Sequence, residues 1–271
     1  MGPDDMELTE KTGGERQEKM VALLDRQGGM SVAALAHHFG CSTATVRRDL
    51  LRVEQSGIAL VRYHGSVSLA REDLGSQFEA RQISNYQAKQ AIALLLADYI
   101  PERITIGLNG GTTTALVARA IAKRRKSVRV VTNAINIAYE LALQSMDVVV
   151  VGGVVQLPHF ESTGKVALST LSDLHLDMAI LGVEGVDSAF GFTTAREEEA
   201  AMCQTFRAIA DEVITAWDSS KLGRKELFRL LDWSQVDYVA VNVQGGPELA
   251  HWPGLKKGLS NEEAELWKVK A

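Results

Sequence analysis

Residues 16–67, RQEKMVALLDRQGGMSVAALAHHFGCSTATVRRDLLRVEQSGIALVRYHGSV, read as three short helices followed by a two-stranded wing. Glu15 to Gln27 is amphipathic, with Met20, Leu23 and Leu24 at the spacing that puts apolar side chains on one helical face. Ser31 is placed to cap a second helix, because its hydroxyl can accept an otherwise unpaired N–H, and Gly40 suits the left-handed residue that ends it. Ser42 caps a third helix in the same way. Thr43, Thr45, Arg47 and Arg48 then fall in its first two turns, where a recognition helix meets base edges and phosphates, while Val46 and Leu50 point into the core. Gly57 is expected to close this helix. Ile58 to Val67 supplies a hairpin whose Arg62, His64 and Gly65 can touch a sugar-phosphate backbone. The pattern predicts a winged helix-turn-helix over residues 14–70 that binds double-stranded DNA; such domains also serve as protein-interaction modules.

Charge supports DNA locally rather than globally. The 271-residue chain carries a formal net charge of -5, so as a whole it is no nonspecific polyanion binder. From Gly14 to Ala70, seven Lys and Arg stand against five acids, and the basic residues concentrate on the presumed recognition helix and wing. A handful of phosphate contacts is enough for positioning, so salt-sensitive binding to two half-sites is expected, and with it a homodimer or homotetramer. An apolar content of 46% and a charged content of 23% are ordinary for a globular protein. No apolar run reaches membrane-span length and the first fourteen residues are polar and acidic, which predicts a cytoplasmic protein with no membrane partner. The two cysteines, Cys41 and Cys203, sit far apart and no metal-ligand spacing is present, so no disulfide, metal or other cofactor is expected.

Residues 71–85 are polar and weakly patterned, as befits a linker, with Phe78 and Ile83 available to anchor it. Residues 86–243 alternate helices with apolar runs. Helices are predicted over Ala88 to Tyr99, Thr114 to Lys123, Ile135 to Gln144 and Arg196 to Asp211. Strands are predicted over Ile104 to Leu108, Val128 to Thr132, Val148 to Val151, Met178 to Val183, Glu212 to Trp217 and Tyr238 to Asn242. Such alternation implies an α/β domain with a mostly parallel sheet of about six or seven strands, covered on both faces. Residues 244–271 form a tail in which NEEAELWKV is expected to be helical.

In an open α/β sheet, ligands bind at the carboxyl ends of the strands beside helix N-termini. The first strand is followed by Asn109, Gly110, Gly111, Thr112 and Thr113: the glycines allow an anion close to the backbone, and hydroxyls and N–H groups can donate to it. The loop is neither a Walker loop nor a dinucleotide fingerprint. Taken alone it is also how any strand enters a helix. Later strand ends bring Asn133, then Gly152 and Gly153, then Glu184, and finally Lys221 in WDSSKLG. Lys221 can meet a second side of a phosphate, and Asn133 and Glu184 suit sugar hydroxyls. His159, Phe160 and Glu161 follow Gly153 in a loop expected either to lid a ligand or to lie on the surface.

TATVRRDL followed by a glycine and VRYHGS resembles the DNA-reading domain of the DeoR family of bacterial regulators, and GGTTT, VVTNA, VVGG, LGVEG and DSSKLG, in that order, resemble its sugar-phosphate-sensing domain. The resemblance implies a sensor fold like that of ribose-5-phosphate isomerase and coenzyme A transferases. It also implies a repressor of a carbohydrate operon, released by a small phosphorylated sugar held at Gly110 to Thr113, Asn133, Gly152, Gly153 and Lys221. Three positions depart from the family pattern: Cys41 replaces the usual valine, Asn109 the usual aspartate, and Lys165 a smaller residue or proline. The competing reading is a sugar-phosphate isomerase-like enzyme, with Glu184 or Asp187 as base and Lys221 at the enolate oxygen. A third is an adaptor with a degenerate pocket.

Overall fold

The computed structural model describes residues 13–27, 30–56, 58, 60–63, 66–69, 74–124, 127–157 and 159–270. The chain divides into two compact units between Ile83 and Ser84. The first contains α1 (Gly13–Gln27), β1 (Met30–Ser31), α2 (Val32–His38), α3 (Thr43–Gln55), β2 (Leu60–Tyr63), β3 (Ser66–Leu69) and α4 (Leu74–Ile83). Met20, Leu24, Leu35, Val46, Leu50 and Val67 form its buried core, so the apolar stripe of each helix turns inward. Ser31 Oγ accepts the Ala34 N–H at 3.0 Å, and Gly40, at φ +59°, ends α2 in the left-handed region. Ser42 Oγ accepts the Thr45 N–H at 3.1 Å and starts α3.

The wing differs from expectation in one respect. β2 and β3 pair antiparallel, with Leu60 opposite Leu69, and β1 adds a third strand against β3. Two residues are too few to show a period in sequence, and tertiary pairing alone makes Met30 and Ser31 a strand. Within 71–85, Leu74 to Ile83 are helical; Phe78 is buried and Ile83 exposed. Gly57, His64 and Gly65 lie outside the described residues.

The second unit runs α5 (Tyr86–Tyr99), β4 (Thr105–Leu108), α6 (Thr112–Arg124), β5 (Arg129–Thr132), α7 (Ile135–Leu143), β6 (Asp147–Val150), β7 (Val154–Gln156), β8 (Glu161–Thr163), α8 (Lys165–Ser172), β9 (Leu176–Gly182), β10 (Gly185–Asp187), β11 (Gly191–Thr194), α9 (Glu197–Ala208), β12 (Ala210–Ala216), β13 (Phe228–Leu231), β14 (Tyr238–Asn242), β15 (Leu255–Ser260) and β16 (Ala264–Val269). Eight strands form the main sheet in the order β15-β16-β14-β12-β9-β4-β5-β6, of which β14 to β6 are mutually parallel. Both faces are covered. Ile106, Val130, Ile180 and Ile214 pack beneath α5 and α6, whereas Val131, Ala179, Leu181 and Val213 pack with Met202 and Phe206 of α9. Adjacent strand residues thus enter opposite cores, which is why these strands read as unbroken apolar runs. No helix among the described residues is long and apolar enough to cross a membrane.

The tail corrects the sequence reading. NEEAELWKV is not helical: its Ala264–Val269 portion is β16, antiparallel to β14, with β15 outside it. Buried Glu265 accepts the Trp267 indole N–H at 2.9 Å and the Lys257 ammonium at 2.5 Å. Those partners let a glutamate sit inside a strand, and β14's free edge outweighs the helical preference of a Glu-rich segment.

Asp49 ties α3 to α1. Its carboxylate, almost fully buried, accepts from Arg16 Nε at 2.7 Å and from Gln17 Nε2 at 3.3 Å. Burial works against its charged form, but the hydrogen bonds from Arg16 and Gln17 and the charges of Arg16 and Arg52 outweigh that, so the carboxyl titrates below its ordinary value. A depressed folded pKa stabilises fully above the unfolded value of about 4 and is lost as pH falls through the lower folded value. Asp49→Asn is therefore expected to cost about 1–3 kcal/mol at pH 7. Hydrogen exchange of α1 and α3 peptides should show reduced protection at pH 7, with the variant and the parent protein converging once acid has protonated Asp49. Equal differences at both pH values would refute the assignment.

Candidate functional site

On α3, Thr43, Arg47 and Arg48 are exposed, while Val46 and Leu50 lie on the opposite, buried face. Ser42 and Thr45 are bound to each other through their hydroxyls at 2.9 Å, so the cap also fixes the helix start that carries the exposed residues. Cys41 packs partly buried against the small core, a structural place for the departure at that position. Arg62 is in β2, where only its backbone is described.

In the second unit, the sheet order makes β4 and β9 the switch point. The chain leaves β4 towards β5 and β6, then returns to β9 on β4's other side and proceeds to β12 and β14. Asn109, Asn133, Gly152, Glu184 and Lys221 follow β4, β5, β6, β9 and β12 respectively, so they mark the carboxyl ends of five neighbouring strands. Strands are about 4.8 Å apart, which spreads this edge over roughly 19 Å. The crevice at such a point is where open α/β sheets hold ligands.

Asn109 is buried and its amide spans the switch point: Oδ1 accepts the Gly182 N–H at 2.8 Å, and Nδ2 donates to the Gly182 carbonyl at 3.0 Å and towards Cys203 Sγ at 3.4 Å. An aspartate would accept from Gly182 but would set an anionic oxygen against its carbonyl. Burial pushes the Cys203 thiol well above its ordinary value, so the sulfur beside Asn109 is neutral. Asn109 is therefore a clamp between strand ends, and its side chain is occupied without a ligand.

The two glycines that follow serve different ends. Gly111 adopts φ +138°, open to glycine and rarely to other residues, and its carbonyl accepts the Thr114 hydroxyl at 3.1 Å. At Gly110 the constraint is space, because a Cβ there would lie 2.3 Å from Glu161 Cγ. Glu161, expected in a lid or surface loop, is instead the buried first residue of β8, and it accepts the Gly110 N–H. Thr112 and Thr113 open α6, half-buried and buried.

Around Glu161 the structure gathers residues that sequence reasoning did not join. His159, also buried rather than on the surface, places Nδ1 2.7 Å from Glu199 Oε1 and Nε2 3.9 Å from Glu184 Oε1. Thr194 donates its hydroxyl towards Glu199 Oε2 at 2.6 Å and Glu184 Oε2 at 3.2 Å, and the Ala195 N–H donates to Glu184 Oε2 at 2.9 Å. Burial and the charge of Glu199 raise the Glu161 carboxyl; burial lowers the His159 imidazole, but its bond to Glu199 and the surrounding carboxylates raise it on balance. Glu199 lies forty residues after His159 on α9, and no spacing signature links them.

The remaining strand-end residues are not equivalent. Asn133 is fully buried; its Nδ2 donates to the Ser162 carbonyl at 3.1 Å, while Oδ1 has no hydrogen-bond partner and can accept from a hydroxyl. Gly153 permits a close pass, since a Cβ there would lie 2.6 Å from the Thr163 carbonyl oxygen, whereas Gly152 is open. Lys221 ends a short helical turn capped by Asp218, and the next residue bridges to Val186 of β10. Lys165 is exposed at the start of α8. Neither nominal catalytic base is unengaged: Glu184 has the donors just described, and Asp187 holds the β10–β11 turn by accepting from Phe190 N at 2.6 Å and Ala189 N at 3.0 Å.

A capped helix-turn-helix followed by an α/β unit with glycine-rich strand ends at a switch point is the architecture of a DNA-binding regulator that carries a sensor domain. Family models described as a DeoR-like helix-turn-helix domain and a DeoR C terminal sensor domain match residues 16–73 and 84–242. The chain belongs to the DeoR family of transcriptional regulators. It is 32% identical to the HTH-type transcriptional repressor CsqR of Escherichia coli over 80% of this chain and 82% of that one. It is 30% identical to the glycerol-3-phosphate regulon repressor of the same organism, over 83% and 89%. The L-fucose operon activator of Haemophilus influenzae matches at 28% identity, over 83% and 90%. These relatives are regulators, not enzymes. Among solved structures, ribose 5-phosphate isomerase from Methanocaldococcus jannaschii aligns with 69% of this chain and 81% of its own at 15% identity and a TM-score of 0.39, a likeness too distant to carry a functional argument.

The Gly110–Glu161 contact is testable by a double-mutant cycle. Gly110→Ala should lower stability by about 1–3 kcal/mol through overpacking. In a Glu161→Ala background the same substitution should cost about 1 kcal/mol less or better still nothing. Strict additivity in thermal unfolding would mean that Glu161 does not fill the space beside Gly110.

Proposed function

We propose that this regulator is a repressor of a carbohydrate operon, binding a two-half-site operator as a homodimer or homotetramer and released by a small phosphorylated sugar. The observation that carries the reading is the line of Gly110, Gly111, Thr112, Asn133 and Lys221 along the carboxyl edge of neighbouring strands, at the switch point of a chain whose other unit exposes Thr43, Arg47 and Arg48 on a capped helix. Backbone N–H groups at the start of α6 and the Lys221 ammonium suit a phosphate, and the unpartnered Asn133 Oδ1 suits a sugar hydroxyl. The names of the glycerol-3-phosphate regulon repressor and of a putative aga operon transcriptional repressor, 29% identical, support a carbohydrate-linked effector. Ligand-assisted activation would use the same residues, and the name of the L-fucose operon activator supports keeping that reading second.

The test is fluorescence anisotropy on DNA from upstream of the protein's own gene, titrated with sugar phosphates and their unphosphorylated counterparts. Arg47→Ala and Arg48→Ala should each weaken operator binding by about 1–3 kcal/mol where a base contact is lost, or lessen its salt dependence where a phosphate contact is lost. Lys221→Ala and Thr112→Val should abolish the response to the effector while leaving DNA affinity largely intact. Failure of both classes of variant at both tasks, with the fold preserved, would overturn this division of labour.

A further inference from the structure

The cluster around Glu161 offers the donor set of a metal site. One donor atom from each of His159, Glu161 and Glu199 lies within 4.8 Å of the others, with Glu184 3.9 Å from the far side of the imidazole. We propose that His159, Glu161 and Glu199 form a divalent-cation site against the glycine loop, taking a first-row transition ion such as Zn2+ or Mn2+. One imidazole with carboxylates is a nitrogen and oxygen set that suits those ions better than the softer Cu(I) or the oxygen-preferring Mg2+. Bonds of about 2.0–2.2 Å require donors about 3.3–3.6 Å apart in a tetrahedral site. The 2.7 Å contact between His159 Nδ1 and Glu199 must open by less than an ångström, and pairs as wide as 4.8 Å must close by up to about 1.2–1.5 Å.

An independent observation separates this cluster from an ordinary acidic patch. The Glu161 carboxylate is only 3% exposed, points among the other donors and makes no salt bridge among the described residues. A buried carboxylate is costly unless protonated or paired, and beside the His159 imidazole a bound ion would complete that neutralisation. Phe160, between the two donors of this loop, adopts φ +57°, a conformation unusual for an aromatic residue. Cys203 is close enough to feel the charges of Glu161 and Glu199, but its thiol is turned to Asn109.

The experiment uses the full chain, stripped with a chelator and then titrated with Mn2+, followed by the paramagnetic resonance of free ion, and with Zn2+ by calorimetry; Mg2+ is the control. One ion per chain is expected, with a rise in thermal midpoint. Glu161→Gln and Glu199→Gln should each weaken uptake by about tenfold or more, in the range seen when even an outer partner of a ligand is lost. Glu161→Gln keeps the side chain's size and an oxygen that can accept the Gly110 N–H, so the variant should fold, and circular dichroism with operator binding checks this. His175→Gln, at an exposed pair with Asp211, should leave uptake unchanged. No saturable uptake of either transition ion, or uptake unaltered in both glutamate variants, would overturn the proposal. Uptake is read without sugar or DNA, so an intact cation site with no response to sugar phosphates would sink the effector reading alone.

Discussion

The side-chain amide of Asn109 holds together the two strands between which the sheet reverses its order. Its oxygen and nitrogen pair with the N–H and the carbonyl of the same residue, Gly182, so β4 and β9 are fixed at their ends in a way the ladder between them cannot provide. Each such bond contributes only about 1 kcal/mol net, yet leaving a buried amide or carbonyl unpaired costs more. Everything proposed for this edge depends on that registration: the start of α6 springs from the glycines after Asn109, and Glu184 from the residues after Gly182. An asparagine performs this double role because it carries a donor and an acceptor, whereas an ionised aspartate would need a cation where this chain has the neutral thiol of Cys203.

The electrostatics of the edge follow from the same economy. Three carboxylates and one imidazole share a small volume where water is scarce, and each is met by donors that the fold supplies at fixed places. Gly110 gives Glu161 an N–H, Ala195 and Thr194 serve Glu184, and His159 and Thr194 serve Glu199. The arrangement leaves Glu161 the least compensated, and it lies nearest the loop that an anion would approach. A charged Glu161 there would repel a phosphate; held neutral, or bridged by a cation, it would not. Binding of an anion at this loop would thus be inseparable from how this one carboxyl group is neutralised.

Much of this was legible in the sequence, and the failures have physical causes. The six parallel strands and the helices α5, α6, α7 and α9 of the second unit declare themselves because their periods are strong and their strand ends carry glycine, asparagine and lysine. The Ser31 and Ser42 caps and the Gly40 stop were readable because each solves a local problem with a side chain or a φ angle. What was hidden depends on long-range pairing. β16 looks helical until β14's free edge is known, β1 is too short to have a period, and Glu199 becomes a neighbour of His159 only after the chain has run through β8, β9, β10 and β11 and returned along α9. The place of Glu161 was hidden for the opposite reason: a polar loop between glycines reads as surface, and only the close approach to Gly110 turns it inward.

Regulation by such a molecule is easier if the DNA-reading units act in pairs. Each has an excess of only about two positive charges, so a single unit would have a weak electrostatic hold, and affinity would come from two half-sites engaged at once. A ligand that alters the spacing of two units removes the second engagement without touching either recognition helix. It can do so only to the extent that it binds one arrangement better than the other; a shift from mostly bound to mostly released needs a differential affinity of order 10⁴, about 5.5 kcal/mol. One phosphate at a helix N-terminus does not reach that figure alone. A sugar phosphate that also met Lys221 and the unpartnered Asn133 Oδ1, in each chain of a dimer, would divide the requirement between two sites and bring it within the strength of ordinary charge-assisted hydrogen bonds.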